Sequence, residues 1–211
     1  DRAEQKGTGR LAAIAALELG VAAPSISESV SARILSSKKQ ERVSSSKIYK
    51  KPEAKHPYLD IVDMKKALLA SKISAYAQGF DILSAANKEF DWDMNLADIA
   101  KNWRAGCIIR ARFLDEVAEA FITDDKLVNL IMAPHFSSIL KDSIPSLRRV
   151  VKWGITRGIP SPVLSASLSY FETYTSPTLP ANLIQGQRDY FGSHGFERID
   201  KPGFHTNDWN Q

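Results

Sequence analysis

Apolar residues recur along the chain at the three-to-four-residue spacing of a helix face, and the strict alternation of a half-buried strand is not seen. Leu11, Ile14, Ala15 and Leu17 form the first stripe and Gly20 supplies a stop, so the spacing predicts a helix beginning near Thr8. Ser25 and Glu28 have the spacing of a capping box, predicting a second helix that carries Val30, Arg33, Ile34 and Leu35. A basic, serine-rich stretch follows, and KKPEAKHP at 50–57 reads as a loop. Asp60 to Phe90 then runs without a proline. Its apolar residues, Ile61, Met64, Leu68, Ile73, Tyr76, Phe80 and Leu83 among them, fall on more than one face, which predicts a central helix buried in a bundle. Further helices are expected at about 95–105, 107–122, 124–132, 135–142, 146–157, 161–175 and 180–192, with breaks at Gly106, Pro134, Pro145, Gly158, Pro177 and Pro180. From Gly195 the periodicity ends. The expected fold class is therefore all-α, with a helical domain over 1–194 and an irregular tail over 195–211 that either frays or docks on something.

Composition narrows the function more than the fold. With 211 residues, 44% hydrophobic and 25% charged, the chain is long enough to bury a sizeable core. The net charge of +4 is spread among acids except for KKQER at 38–42 and the lysines from Lys47 to Lys55. That bias is too weak for a nucleic-acid partner but suits a small anion. The single cysteine, Cys107, excludes an internal disulfide, reads as a small buried hydrophobe and fits a reducing cytoplasm. No run approaches the ~20 apolar residues of a membrane span, and none reads as a signal peptide. The chain begins with Asp1 rather than methionine, within what reads as a functional loop, so a piece of a longer protein is expected.

Two stretches carry candidate chemistry. QKGTGR at 5–10 puts Lys6, two glycines and Thr8 where a helix begins, and a helix start combines unpaired N–H groups with partial positive charge. Glycine allows close approach, Thr8 adds a hydroxyl and Lys6 a full charge, so a phosphate or carboxylate fits. An ordinary capped helix beside a solvated lysine explains the same residues. The spacing matches neither the P-loop nor the dinucleotide-binding glycine motif. In QGQRDYFGSH at 185–194, Arg188 offers a planar fork of donors for a phosphate or carboxylate, and His194 follows the stop at Gly192. A surface ion pair beside a loop histidine is the alternative. His56, His135, His194 and His205 form no ligand pair such as HxxxH, so no metal is expected. Asp124 and Asp125 read as helix-start residues, with no general-acid and general-base pair in view.

DRAEQKGTGR closely resembles the signature of the 6-phosphogluconate dehydrogenase family, in which Lys-Gly-Thr-Gly follows an aspartate and a short spacer. SARILSSKKQER at 31–42, ASKISAYAQGF at 70–80, NWRAGCIIRARFL at 102–114, LPANLIQGQRDYFGSHGFE at 179–197 and HTN near the end agree in order and spacing. The resemblance covers essentially the whole chain and corresponds to the later part of that family's all-helical C-terminal domain. It implies NADP-dependent oxidation of 6-phosphogluconate coupled to decarboxylation, giving ribulose 5-phosphate and carbon dioxide.

On that resemblance Lys6, Thr8 and Arg33 bind the substrate phosphate, and Arg188 and His194 reach the substrate from the partner subunit of a homodimer whose tails pass through the other chain. A phosphate near −2 charge is well matched by a lysine, two arginines, a hydroxyl and a helix N-terminus. The resemblance also implies that the nucleotide-binding domain, and the lysine and glutamate that act as general base and general acid, lie upstream of this region; the 211 residues alone are then expected to be inactive. Glu4 stands where the family prefers a small residue and Leu11 where it usually has tryptophan, which implies altered packing near the site. Two other function classes are weighed against this reading. A non-catalytic helical assembly module has no use for a costly cluster of phosphate ligands, and a related hydroxyacid dehydrogenase is disfavoured by the two motifs together.

Overall fold

The structure, a computed structural model, describes residues 1–4, 6–52 and 58–209; His56, Gln5 and the middle of the 50–57 loop lie outside them. The chain divides into two compact units, Asp1–Phe171 and Glu172–Gln211. The expected boundary at 194/195 falls inside the second.

The first unit is built on two long helices, α4 (Ile61–Phe90) and α7 (Pro134–Thr156). The side chain of Asp60 accepts from Val62 N at 2.9 Å and opens α4, and Asp91, at φ 51°, closes it in the left-handed conformation. The buried face of α4 is mostly small, with Ala67, Ala70, Ser71, Ser74 and Ala77 beside Ile73 and Phe80. Small residues let α7 approach closely. Ile61 and Leu68 are instead exposed, so the apolar residues of α4 reach beyond the face this chain buries. On α7 the buried stripe is Phe136, Leu140, Ile144, Leu147 and Val151.

That stripe explains the clearest departure from the sequence expectation, because 135–142 and 146–157 form one helix that runs through Pro145. An interior proline costs about 3 kcal/mol. Each large side chain buried on the same face is worth about 1.5–3 kcal/mol, and the face continues in register on both sides of the proline. Packing wins.

Around this pair lie α1 (Thr8–Glu18), α2 (Pro24–Ser37), α3 (Lys39–Ile48), α5 (Leu96–Asn102), α6 (Leu114–Thr123) and the start of α8 (Pro162–Tyr174), with a 3₁₀ turn at Leu130–Met132. Expected helix 107–122 is shorter than its pattern: Gly106 turns at φ 73° and residues 103–113 form turns before Leu114, Val117 and Ala118 become buried. Asp124 starts no helix. It ends α6 in an extended conformation and its carboxylate accepts from Lys126 N at 3.0 Å. The Ser25–Glu28 capping box does not form either, because Ala23 is the N-cap of α2 with Pro24 at the first turn. Ser25 is drawn into the interior. Its N–H donates to Gln78 Oε1 at 2.9 Å, Gln78 Nε2 donates to its hydroxyl at 2.9 Å, and that hydroxyl lies 2.9 Å from Ser167 Oγ, which also accepts from Ser71 Oγ at 2.6 Å. This buried chain ties α2, α4 and α8 together.

The second unit contains α9 (Ala181–Gly192) and a tail that is less irregular than its sequence implies. Phe196–Glu197 (β1) and Phe204–His205 (β2) pair antiparallel, Phe196 opposite His205. Two residues per strand are too few to show an alternation. Among the described residues the fold is otherwise helical, and no helix is long and apolar enough to cross a membrane.

Candidate functional site

The first candidate group sits where α1 meets α2. Gly7 adopts φ 101°, a left-handed conformation that glycine enters freely, and serves as the N-cap of α1 with no side-chain cap bond. The second glycine has a different task. A Cβ on Gly9 would lie 3.1 Å from Val30 Cγ2, so its small size lets the first turn of α1 rest on the middle of α2. Arg33 lies one turn beyond Val30. Lys6, Thr8 and Arg33 are all exposed. The first-turn N–H groups of α1, lacking a side-chain cap, therefore lie beside a lysine and a hydroxyl, the arrangement that receives an oxyanion.

Arg33 is already engaged in holding this region. Its Nη2 donates to the carbonyl of Glu4 and its Nε to the carbonyl of Ala3 at 3.4 Å. Ala3 N in turn donates to Ser36 Oγ at 2.9 Å. Lys39 and Arg42 both pair with the Asp1 carboxylate, and Arg42 Nη2 also donates to the carbonyl of Ser36 at 3.1 Å. Residues 1–4 are thus laced to α2 and α3 immediately before Lys6. Glu4 contributes its carbonyl here, and both Glu4 and Leu11 are exposed, so neither departure from the family pattern alters the interior of this chain.

The second group belongs to the second unit. Arg188 and His194 are exposed at the C-terminal end of α9 and just beyond it, and Arg188 Nη1 donates to Gln185 Oε1 at 3.1 Å. Gly192 makes room for the histidine: a Cβ there would stand 3.0 Å from His194 Nε2. Gly195 is similarly required, at φ 71° with Phe204 Cδ1 only 2.6 Å from any added Cβ.

Asp189 is the residue that sequence reasoning missed. Rather than pairing with Arg188 at the surface, it is 1% exposed and accepts four hydrogen bonds. The donors are Gly195 N at 3.0 Å, Thr206 Oγ1 at 2.7 Å, Asn207 N at 3.0 Å and Trp209 Nε1 at 2.8 Å. The Asn207 backbone N–H, followed by Thr206, Trp209 and Gly195, lowers its pKa to about 2. The available signal was its being the only acid in α9, next to an aromatic pair. This carboxylate folds the tail back on the segment that presents Arg188 and His194.

Fold and geometry together define an all-α domain with two exposed basic groups, one at an uncapped helix start and one at a helix end. Residues 1–209 match the family model described as 6-phosphogluconate dehydrogenase, C-terminal domain, and the chain belongs to that family. It is 47% identical over 98% of its length to a decarboxylating 6-phosphogluconate dehydrogenase of Escherichia coli (strain K12), and 44% identical over 99% to an NADP(+)-dependent, decarboxylating one of Bacillus subtilis (strain 168). It spans 45% of the length of each. Among solved structures it is similar to Plasmodium falciparum 6-phosphogluconate dehydrogenase, described in apo form, with its cofactor NADP+ and with its substrate 6-phosphogluconate. The TM-score is 0.93 at 40% identity, over 99% of this chain and 46% of that one.

Proposed function

We propose that this chain is the substrate-phosphate-binding and dimer-forming portion of an NADP-dependent 6-phosphogluconate dehydrogenase that oxidatively decarboxylates 6-phosphogluconate to ribulose 5-phosphate and carbon dioxide. The observation that carries the reading is the 47% identity over 98% of the chain to an enzyme of that name. In this reading residues 1–194 hold the substrate and the dimer contacts, and 195–211 form a tail that reaches the partner; the protein works in the cytoplasm. NADP takes up the hydride when bound. Residues 1–211 contain no glycine-rich nucleotide fingerprint, so no NADP contact is assigned to them. Nor is a general base or general acid assigned here, and the 211 residues alone should not reduce NADP.

Lys6, Thr8 and the first turn of α1 are the phosphate ligands, with Arg33 completing them. In the full-length enzyme Lys6→Ala or Arg33→Ala should weaken 6-phosphogluconate binding by about 1.5–3 kcal/mol each, one charge-assisted hydrogen bond's worth. Unphosphorylated gluconate should not distinguish mutant from wild type; an equal loss with gluconate would remove both residues from the phosphate site. The donation of Arg33 to the carbonyls of Ala3 and Glu4 supports a second reading, in which Arg33 only positions the Lys6 segment. The double variant decides: a loss no greater than that of one single variant favours positioning, and an additive loss favours two independent ligands.

Arg188 and His194 serve the active site of the other subunit. Mixing an Arg188→Ala protein with an equal amount of a Lys6→Ala protein and letting subunits exchange should restore activity toward about a quarter of wild type, because about half of the dimers are then mixed and each of these holds one intact site of two. No recovery after proven exchange would refute the shared site.

A further inference from the structure

A second basic cluster lies outside the proposed phosphate site, within the first unit. Lys72 on α4, Arg104, Arg110 and Arg112 on the 103–113 segment, and Asp115 in the first turn of α6 line an open cleft of about 540 Å³. One carboxylate faces four cations. Asp115 is paired with Arg104, and Lys72 Nζ stands 5.4 Å from the centre of the Phe113 ring. Arg110 and Arg112 flank Ala111, which packs toward the core.

The segment that carries these arginines is fastened at both ends. Trp103 packs on buried Phe80 with ring centres 5.3 Å apart, and Phe113 meets Tyr76 at 5.1 Å and buried Phe136 at 5.9 Å. Gly106, at φ 73°, supplies the turn between them. The first turn of α6 has no side-chain cap, which adds partial positive charge beside Asp115. Aromatic anchoring thus fixes the backbone segment that brings Arg104, Arg110 and Arg112 to one cleft with Lys72, where an anion would interact with all of them at once.

We infer that this cleft is a separate anion site for a small molecule bearing two phosphoryl groups. The lining carries three more positive charges than negative. A phosphoryl group carries about −1.5 to −2 at neutral pH, so two match the lining better than one. The cleft is of the size that small ligands occupy, and planar guanidinium forks suit phosphoryl oxygens.

The test is titration of the full chain with inorganic pyrophosphate and with orthophosphate, read by calorimetry and by the part of the tryptophan fluorescence change that a Trp103→Phe variant loses. Saturable binding of one pyrophosphate at this cleft is expected, weakening as salt rises, with orthophosphate about tenfold weaker or more. The variant pair Arg110→Gln/Arg112→Gln should lower pyrophosphate affinity about tenfold or more, Lys72→Gln on a different helix should act in the same direction, and Lys6→Ala/Arg33→Ala should leave this site intact. Binding unaffected by the first two changes, binding abolished by the last, equal affinity for the two anions, or no saturable binding would each overturn the assignment.

Discussion

The two units hold themselves together by opposite means. Residues 1–171 bury aliphatic and aromatic side chains in quantity, with Phe80, Phe136, Ile73, Leu114 and Leu147 almost wholly removed from water. Among the described residues of 172–211 the one buried side chain is a carboxylate, that of Asp189. The first unit rests on non-directional burial, which tolerates an interior proline because many contacts share the load. The second rests on four directed hydrogen bonds converging on two oxygen atoms. Burial yields a thick, redundant core; directed bonds give a thin unit a defined shape while leaving nearly all of its surface, including Arg188 and His194, available.

The contrast breaks most visibly at its strong side. Phe136→Ala should cost about 3–5 kcal/mol in urea unfolding of the first unit, because the ring lies at the contact of α7 with Phe113 and leaves a cavity. A loss below about 1 kcal/mol would show that the core does not depend on this packing. Ser167→Ala should cost less, about 1–3 kcal/mol, since it removes the Ser167 partner of the buried Ser71 hydroxyl and leaves the Ser25 hydroxyl with Gln78 alone. Replacing Ser25, Ser71 and Ser167 together by alanine should recover part of that loss.

Asp189→Asn should move the global midpoint least and the tail most. Amide exchange and proteolysis at 195–209 should rise while the core of 1–171 keeps its protection. The pH dependence follows from the sign of its shift. An unfolded aspartate titrates near 3.9 and the folded one at about 2, so the stabilisation is complete above about pH 4 and is lost as pH falls toward 2. Asp63 of the first unit, held to about 2 mainly by Arg149 and then Ser146, titrates over the same range. Residue-resolved exchange separates the two. Tail protection that does not change between pH 5 and pH 2 would remove Asp189 from its role.

The sequence announced what local chemistry determines. Helix α4 was legible because no proline interrupts 60–90 and apolar residues recur through it, and α1 because a clear stripe starts after Thr8 and stops at Gly20. Continuity through Pro145 was hidden, since it depends on the face of α4 that receives Phe136 to Val151. Helix α3 has no buried residue and hence no stripe to read. At the candidate site both motifs were visible as basic residues at helix ends. The engagement of Arg33 with two carbonyls and the inward turn of Asp189 were not, because each is a contact with residues distant in sequence or folded back from the tail.

The hydroxyl chain of Ser25, Gln78, Ser167 and Ser71 acts as a register lock on α2. Aliphatic contacts would let a helix slide along its neighbours at small cost, but a slip of one turn, about 5.4 Å, would carry Ser25 away from both Gln78 and Ser167. Each group left stranded would cost about 1–3 kcal/mol. Because Arg33 rides on the same helix two turns further along, its axial position and its azimuth are set from the interior, by side chains that are almost wholly buried.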